Sequence, residues 1–182
     1  MNRRLFFETV GVASVALGLS KAASAQSGTD AEARLRELGL TLPDPAGPVA
    51  AYVPFRVSGN QVFIAGNIPP LGDGMKTSGK IGADLTPEEG YAAARLAALR
   101  VIAQLKVACG GDLGRVVNAL QIRGFVSCSA DFNGQSGVVN GASDLFREVF
   151  GEAGLAARAA VGTNSLPLDA CVEIESIWEI KT

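Results

Sequence analysis

A strand written in strict alternation, Val172-Glu173-Ile174-Glu175-Ser176-Ile177, limits most sharply what this chain can fold into. Successive side chains on a strand leave by opposite faces, so Glu173 and Glu175 point one way and Val172 and Ile174 the other, with Ile177 assigned to packing. Such a strand belongs in a sheet with one covered and one open face. Ahead of it lie Ala157-Arg158-Ala159-Ala160-Val161-Gly162, an apolar strand headed by one arginine, and the proline-bearing turn Leu166-Pro167-Leu168. A single arginine set in apolar sequence suggests a socket for an anion.

The segments upstream supply partners for that strand. Runs of β-branched and aromatic residues predict strands over 49–56 and 61–65, joined by the turn Val57-Ser58-Gly59-Asn60. A Gly- and Pro-rich loop covers 69–82, and Thr86-Pro87-Glu88-Glu89 then supplies an N-cap, a first-turn proline and a capping-box glutamate. The helix it opens runs to about Cys109 and is stopped by Gly110-Gly111. Tyr91, Ala94, Ala98, Val101, Ile102 and Leu105 form its apolar stripe, with Arg95, Arg100 and Lys106 off it. A strand over 116–126 and a helix over 138–150, closed by Gly151, follow, and the charged segment 31–39 forms a short helix at the start.

The order ββ–α–β–α–ββ predicts an α+β domain of two layers, a mixed sheet covered on one face by two helices, with hairpins at both ends. Its uncovered face calls for burial, and association of copies through their sheets provides it. Gly72-Asp73-Gly74 and Gly110-Gly111-Asp112 read as turns, because neither leads into the Lys-Ser/Thr of a phosphate loop.

Residues 1–25 read as an export signal: Arg3-Arg4, an apolar run over 10–19, and the small-residue site Ala23-Ser24-Ala25. The apolar run is too short to span a bilayer. The paired arginines followed by Leu5, Phe6 and Phe7 favour a twin-arginine signal, and an ordinary secretory signal is the competing reading. The expected organisation is therefore a signal over 1–25, a tether and short segment over 26–44, and one domain over 45–182, periplasmic or secreted and free of the membrane once cleaved. With 48% hydrophobic and 19% charged residues in a chain of 182, one globular domain is the expectation.

Loss of residues 1–25 leaves 13 basic and 17 acidic residues, a net charge of −4, with no Lys/Arg run in what remains. Phosphate-backbone binding needs the opposite balance, so nucleic acid is not an expected partner. The absence of histidine removes the usual neutral-pH base and the commonest transition-metal ligand. Cys109, Cys128 and Cys171 are widely spaced, with no C-x-x-C pair, and read as small buried hydrophobes; a Cys128–Cys171 bridge stays open.

Taken in order, these segments resemble the Rid family of imine deaminases, also called YjgF-like, over residues 45–180. Tyr52-Val53 matches the start of that family's first strand, and Phe63-Ile64-Ala65-Gly66-Asn67-Ile68-Pro69 is similar to its "T-S-G-Q-I-P" element. Ala157-Arg158, Leu166-Pro167 and Val172-Glu173-Ile174-Glu175 match its "A-R … L-P … V-E-I-E-A". Asn140-Gly141-Ala142-Ser143-Asp144-Leu145, with Phe150-Gly151, resembles a less-characterised branch.

The resemblance implies a chorismate-mutase-like fold, a homotrimer whose sheets line an inner barrel, clefts between neighbouring subunits, and no metal or organic cofactor. It implies hydrolysis of 2-imino or enamine acids to 2-keto acids and ammonia. Arg158 is the position that forks onto the substrate carboxylate, a geometry lysine does not reproduce. Glu173 would hold the attacking water, Tyr52 would wall the cleft, and Gly66 would allow close approach of backbone. Asn67, Asn140 and Ala160 would border the substrate. Ala65 and Asn67 stand where the family has serine and glutamine, and Ala160 where a cysteine or serine often follows the arginine.

Two functions fit these residues: an imine deaminase, and a binding module of the same fold that holds a small carboxylate without turning it over. Ribonuclease activity, often attached to the family, is opposed by the acidic balance and the missing histidine.

Overall fold

The computed structural model describes residues 30–45, 47, 50–72, 74 and 76–182, so the export signal expected over 1–25 lies outside the described residues. The described elements are α1 (Ala31–Glu37), β1 (Phe55–Ser58), β2 (Gln61–Asn67), α2 (Pro87–Ala108), β3 (Val116–Ser127), α3 (Gln135–Phe150), β4 (Ala157–Thr163) and β5 (Val172–Ile180), with short 3₁₀ turns between them. The five strands form one sheet in the order β1-β2-β5-β3-β4. All pairings are antiparallel except β3 with β4. This is the mixed, two-layer α+β architecture expected.

Helix α2 begins where the sequence places it. Thr86 Oγ1 accepts from the Glu89 amide at 3.2 Å while Glu89 Oε2 accepts from the Thr86 amide at 2.8 Å. This reciprocal box satisfies donors that a helix N-terminus leaves orphaned. Ala94, Ala98, Val101, Ile102 and Leu105 are buried, as the stripe predicted, but Tyr91 at its head is not and donates instead to Asp144 on α3 at 3.0 Å. Gly141 lets α3 approach α2 closely, since a Cβ there would stand 2.0 Å from the Tyr91 carbonyl oxygen.

Strand β5 alternates buried and half-buried residues along its whole length. Val172, Ile174, Ser176, Trp178 and Ile180 face the helices, and Glu173, Glu175, Ile177 and Glu179 the open side. Ile177 thus departs from its expected packing role, because period two places it with the carboxylates and gives its core position to Trp178. The indole packs edge-on against Phe146 at 5.0 Å and donates to Ser176 Oγ at 2.9 Å. Burying a ring of that size with its N–H satisfied is among the larger single contributions to a core, roughly 2–3 kcal/mol.

Two further expectations need correction. The opening strand, expected over 49–56, starts at Phe55 among the described residues, because Pro54 offers no amide for a ladder and residues 50–54 turn, with the Tyr52 amide donating to the Ala50 carbonyl at 2.8 Å. The last two strands do not form a hairpin, since β3 lies between them. The small residues of β4 bury little and suit an edge, whereas the fully alternating β5 suits the centre, bonded on both sides. The third helix, α1, sends Ala31 and Leu35 into the same core.

All three cysteines are buried and free, so Cys128 and Cys171 are not bridged. On the open side of the sheet Phe63 and Val161 are exposed, and Arg123 pairs with Glu175 at 2.6 Å.

Candidate functional site

The expected site residues fall into two groups, and the sheet register says why. Arg158 pairs with Ile122 of β3, and paired residues share a face, so Arg158 leaves on the helix side. Glu173 pairs with Phe125, three residues further along β3, and leaves on the open side. Three residues along a strand and two strands across put their Cα atoms roughly 14 Å apart, with side chains diverging.

The first group sits in the seam between β4 and α3. Arg158 Nη1 donates to Asn140 Oδ1 at 2.8 Å and to Ser143 Oγ at 3.0 Å, while Nη2 reaches the Ser136 carbonyl oxygen at 3.4 Å. All three partners are neutral, and among the described residues no carboxylate lies within ion-pair distance of this guanidinium. Asn140 and Ser143 lie on one side of α3 because helix neighbours recur at three residues. Ala160, two residues on from Arg158, shares its side of the strand and is half-buried against the core. Arg158 remains exposed, so a fixed cation faces solvent, oriented by side chains that do not neutralise it.

The second group lines a cavity of about 670 Å³ at the other end of the sheet, walled by Tyr52, Pro54, Gly66, Asn67, Ile68, Leu71, Arg100, Gln104, Leu168 and Glu173 among others. A β-bulge between Ile64 and Asn67 interrupts the β2–β5 ladder here. Gly66 faces Glu173 so closely that a Cβ would fall 1.7 Å from Glu173 Oε1. The missing side chain is therefore what lets this carboxyl lie against the backbone of β2. Burial and, less strongly, the neighbouring Glu175 push the Glu173 carboxyl above the ordinary carboxylate range. Asn67 turns its amide back onto the Ala65 carbonyl oxygen at 2.8 Å, and Tyr52 stands exposed at the mouth.

The structure thus brings Arg158, Asn140 and Ala160 together, and separately Tyr52, Gly66, Asn67 and Glu173. Sequence reasoning missed Ser143, Arg100, Gln104 and Leu168. Arg100 was visible as a cation off the apolar stripe, with Gln104 one turn further on; Leu168 was visible only as part of the proline-bearing turn. It sits at a left-handed φ of 56°, held by the turn after Pro167.

Comparison with known proteins agrees with this architecture. The family described as "YjgF/chorismate_mutase-like, putative endoribonuclease" matches residues 32–179. Protein TCP17 of Trypanosoma cruzi is 44% identical over 149 residues, 81% of this chain and 92% of that protein. The crystal structure of Atu1372 from Agrobacterium tumefaciens, a protein of unknown function, is 42% identical with a TM-score of 0.76, covering 84% of this chain and 94% of that one. A more distant structure, E. coli TdcF with bound serine, is 25% identical with a TM-score of 0.52, covering 78% and 96% of the two chains. The chain belongs to the YjgF/Rid family.

Proposed function

We propose that this protein is an exported Rid-type hydrolase that deaminates 2-imino or enamine acids to 2-keto acids and ammonia, working as a homotrimer. The observation that carries this reading is Arg158, a cation held in place by Asn140 and Ser143 and left without a counter-charge among the described residues. That is the chemistry a substrate carboxylate completes with two parallel hydrogen bonds. The amino acid bound by the distant relative TdcF has the same carboxylate.

Arg158 and Glu173 leave opposite faces of one sheet, so each copy offers two half-sites, and a neighbouring copy joins them. The Arg158 seam of one subunit meets the Glu173 cavity of the next. The exposed Phe63 and Val161 on the open sheet face supply apolar surface for that association.

In such a cleft Arg158 fixes the carboxylate and so the imine carbon. Glu173, ionised, accepts a proton from water as its oxygen bonds to that carbon. Glu173 returns that proton to the nitrogen, the adduct's hydroxyl proton follows it as the carbonyl forms, and the C–N bond breaks to release ammonia. The imine is already electrophilic, so orientation and a carboxyl whose basicity is raised by burial suffice without imidazole. Neither metal nor organic cofactor enters this scheme, and among the described residues no cluster of Cys, Asp or Glu has the arrangement to hold a metal ion.

The export reading rests on Arg3-Arg4, the apolar run and Ala23-Ser24-Ala25, which support a periplasmic or secreted location. Among the described residues no helix is long and apolar enough to cross a membrane.

The test is to generate imino acids in situ with an amino-acid oxidase and follow keto-acid release for residues 26–182. Acceleration by the wild type that disappears in Arg158→Ala, with assembly unchanged, is expected. Equal rates with and without protein would instead favour the second reading, a carboxylate-binding trimer, for which the family serine and glutamine replaced here by Ala65 and Asn67 speak.

A further inference from the structure

The Glu173 cavity contains a cation that the reaction above does not use. Arg100, on α2, donates from Nη1 to the Ile68 carbonyl oxygen at 3.1 Å. Its Nε is fully buried and has no hydrogen-bond partner among the described residues. No described carboxylate lies within ion-pair distance of it, Glu173 of the same cavity included. Arg100 as a whole is half-buried, but a guanidinium does not shed its proton, and a desolvated N–H of a charged group left unmatched is unfavourable unless something compensates it.

The surroundings say what that something is. At about 670 Å³ the cavity lies within the range that encloses a sizeable ligand, ~300–1,000 Å³, and far exceeds a three-carbon imino acid. Much of its lining is apolar, with Pro54, Ile68, Leu71, Pro167 and Leu168 among the walls. Apolar walls with a cation among them match an aliphatic chain ending in an anionic group.

We propose that Arg100 is a specificity-determining residue that takes a second carboxylate, so that the preferred substrates are 2-imino acids with an acidic side chain. This rests on the deaminase reading: Arg158 of one copy grips the α-carboxylate, the side chain runs along the apolar wall of its neighbour's cavity, and its distal carboxylate meets Arg100. Water attack and loss of ammonia proceed as for any 2-imino acid, and the product is a 2-keto dicarboxylic acid.

The experiment compares imino acids made in situ from glutamate and 2-aminoadipate with those from alanine and leucine, using oxidases of matching specificity, on wild type, Arg100→Met, Arg100→Lys and Arg158→Ala. Loss of one charge-assisted contact predicts a fall of about 10- to 100-fold in kcat/KM for the acidic substrates in Arg100→Met, with the neutral ones within about threefold. Arg100→Lys recovers part of the loss. A wild type that does not prefer acidic imines, or an Arg100→Met that slows both classes equally, overturns the proposal, the latter because Arg100 then only braces Ile68. Unchanged rates in Arg158→Ala would instead overturn the deaminase reading. Thermal stabilisation by adipate that vanishes in Arg100→Met would in that case still support the Arg100 site, and equal stabilisation of the two would overturn it.

Discussion

Replacing Gly66 with alanine tests whether the position of Glu173, rather than its presence, carries the chemistry. Gly66 has no left-handed φ, so alanine is conformationally acceptable there. Its Cβ would lie 1.7 Å from Glu173 Oε1 and 2.7 Å from Cδ, where ordinary contact begins near 3.4 Å. The carboxylate must therefore retreat by about 1.7 Å, the difference between 3.4 and 1.7 Å. Displacement of a reacting group by about 1 Å costs on the order of 100-fold in rate, so kcat/KM should fall by about 100-fold or more. Stability should barely change, because a half-buried glutamate swings toward water and recovers hydration. Keto-acid release and a thermal scan on the same preparation separate the two effects. In a Glu173→Ala background the Gly66 substitution should cost no more than about twofold, since coupled residues are not additive. Full activity in Gly66→Ala would refute the reasoning outright.

Glu173→Gln should change stability in a pH-dependent way. A carboxyl whose folded pKa is raised contributes stability present below its unfolded pKa and lost as pH rises through the folded one, so the glutamine variant should gain on wild type as pH rises above the ordinary glutamate range in denaturant titrations. Gly141→Ala should destabilise by about 1–3 kcal/mol, because its Cβ would sit 2.0 Å from the Tyr91 carbonyl oxygen. Gly137→Ala on the same helix, with nothing within 4 Å, should stabilise by up to ~1 kcal/mol, and calorimetry reads both signs. Iodoacetamide at pH 8 should label Cys128, 8% exposed, well before Cys171, which is fully buried with its thiol pushed up to about 11 by burial; equal labelling by mass spectrometry would contradict this.

Much of the fold was legible because local signals agreed with one another. The Thr86–Glu89 box, the alanine-rich stripe and Gly110-Gly111 each mark α2 independently, and the alternation of β5 fixes which residues meet the helices. What misled was information that sequence spacing does not carry. Residues 50–54 have strand composition, but Pro54 and the turn at Tyr52 keep them out of β1. The last two strands adjoin in sequence, but β3 separates them, because strand order depends on long-range pairing. The site followed the same division. Motif matches named Arg158 and Glu173, yet only the register shows that they leave opposite faces of the sheet. Arg100 was readable as a charge off the stripe, whereas its unpartnered Nε against the cavity was not.

Subunit mixing tests the divided site most directly. Arg158→Ala and Glu173→Gln chains, each inactive alone, are unfolded, combined in equal amounts and refolded together. If each cleft draws Arg158 from one copy and Glu173 from the next, about a quarter of the clefts in a random mixture regain both native groups, and keto-acid release should return to about that fraction of wild type. A mixture as inactive as its two parents, with assembly shown to be intact, would contradict a site shared between copies.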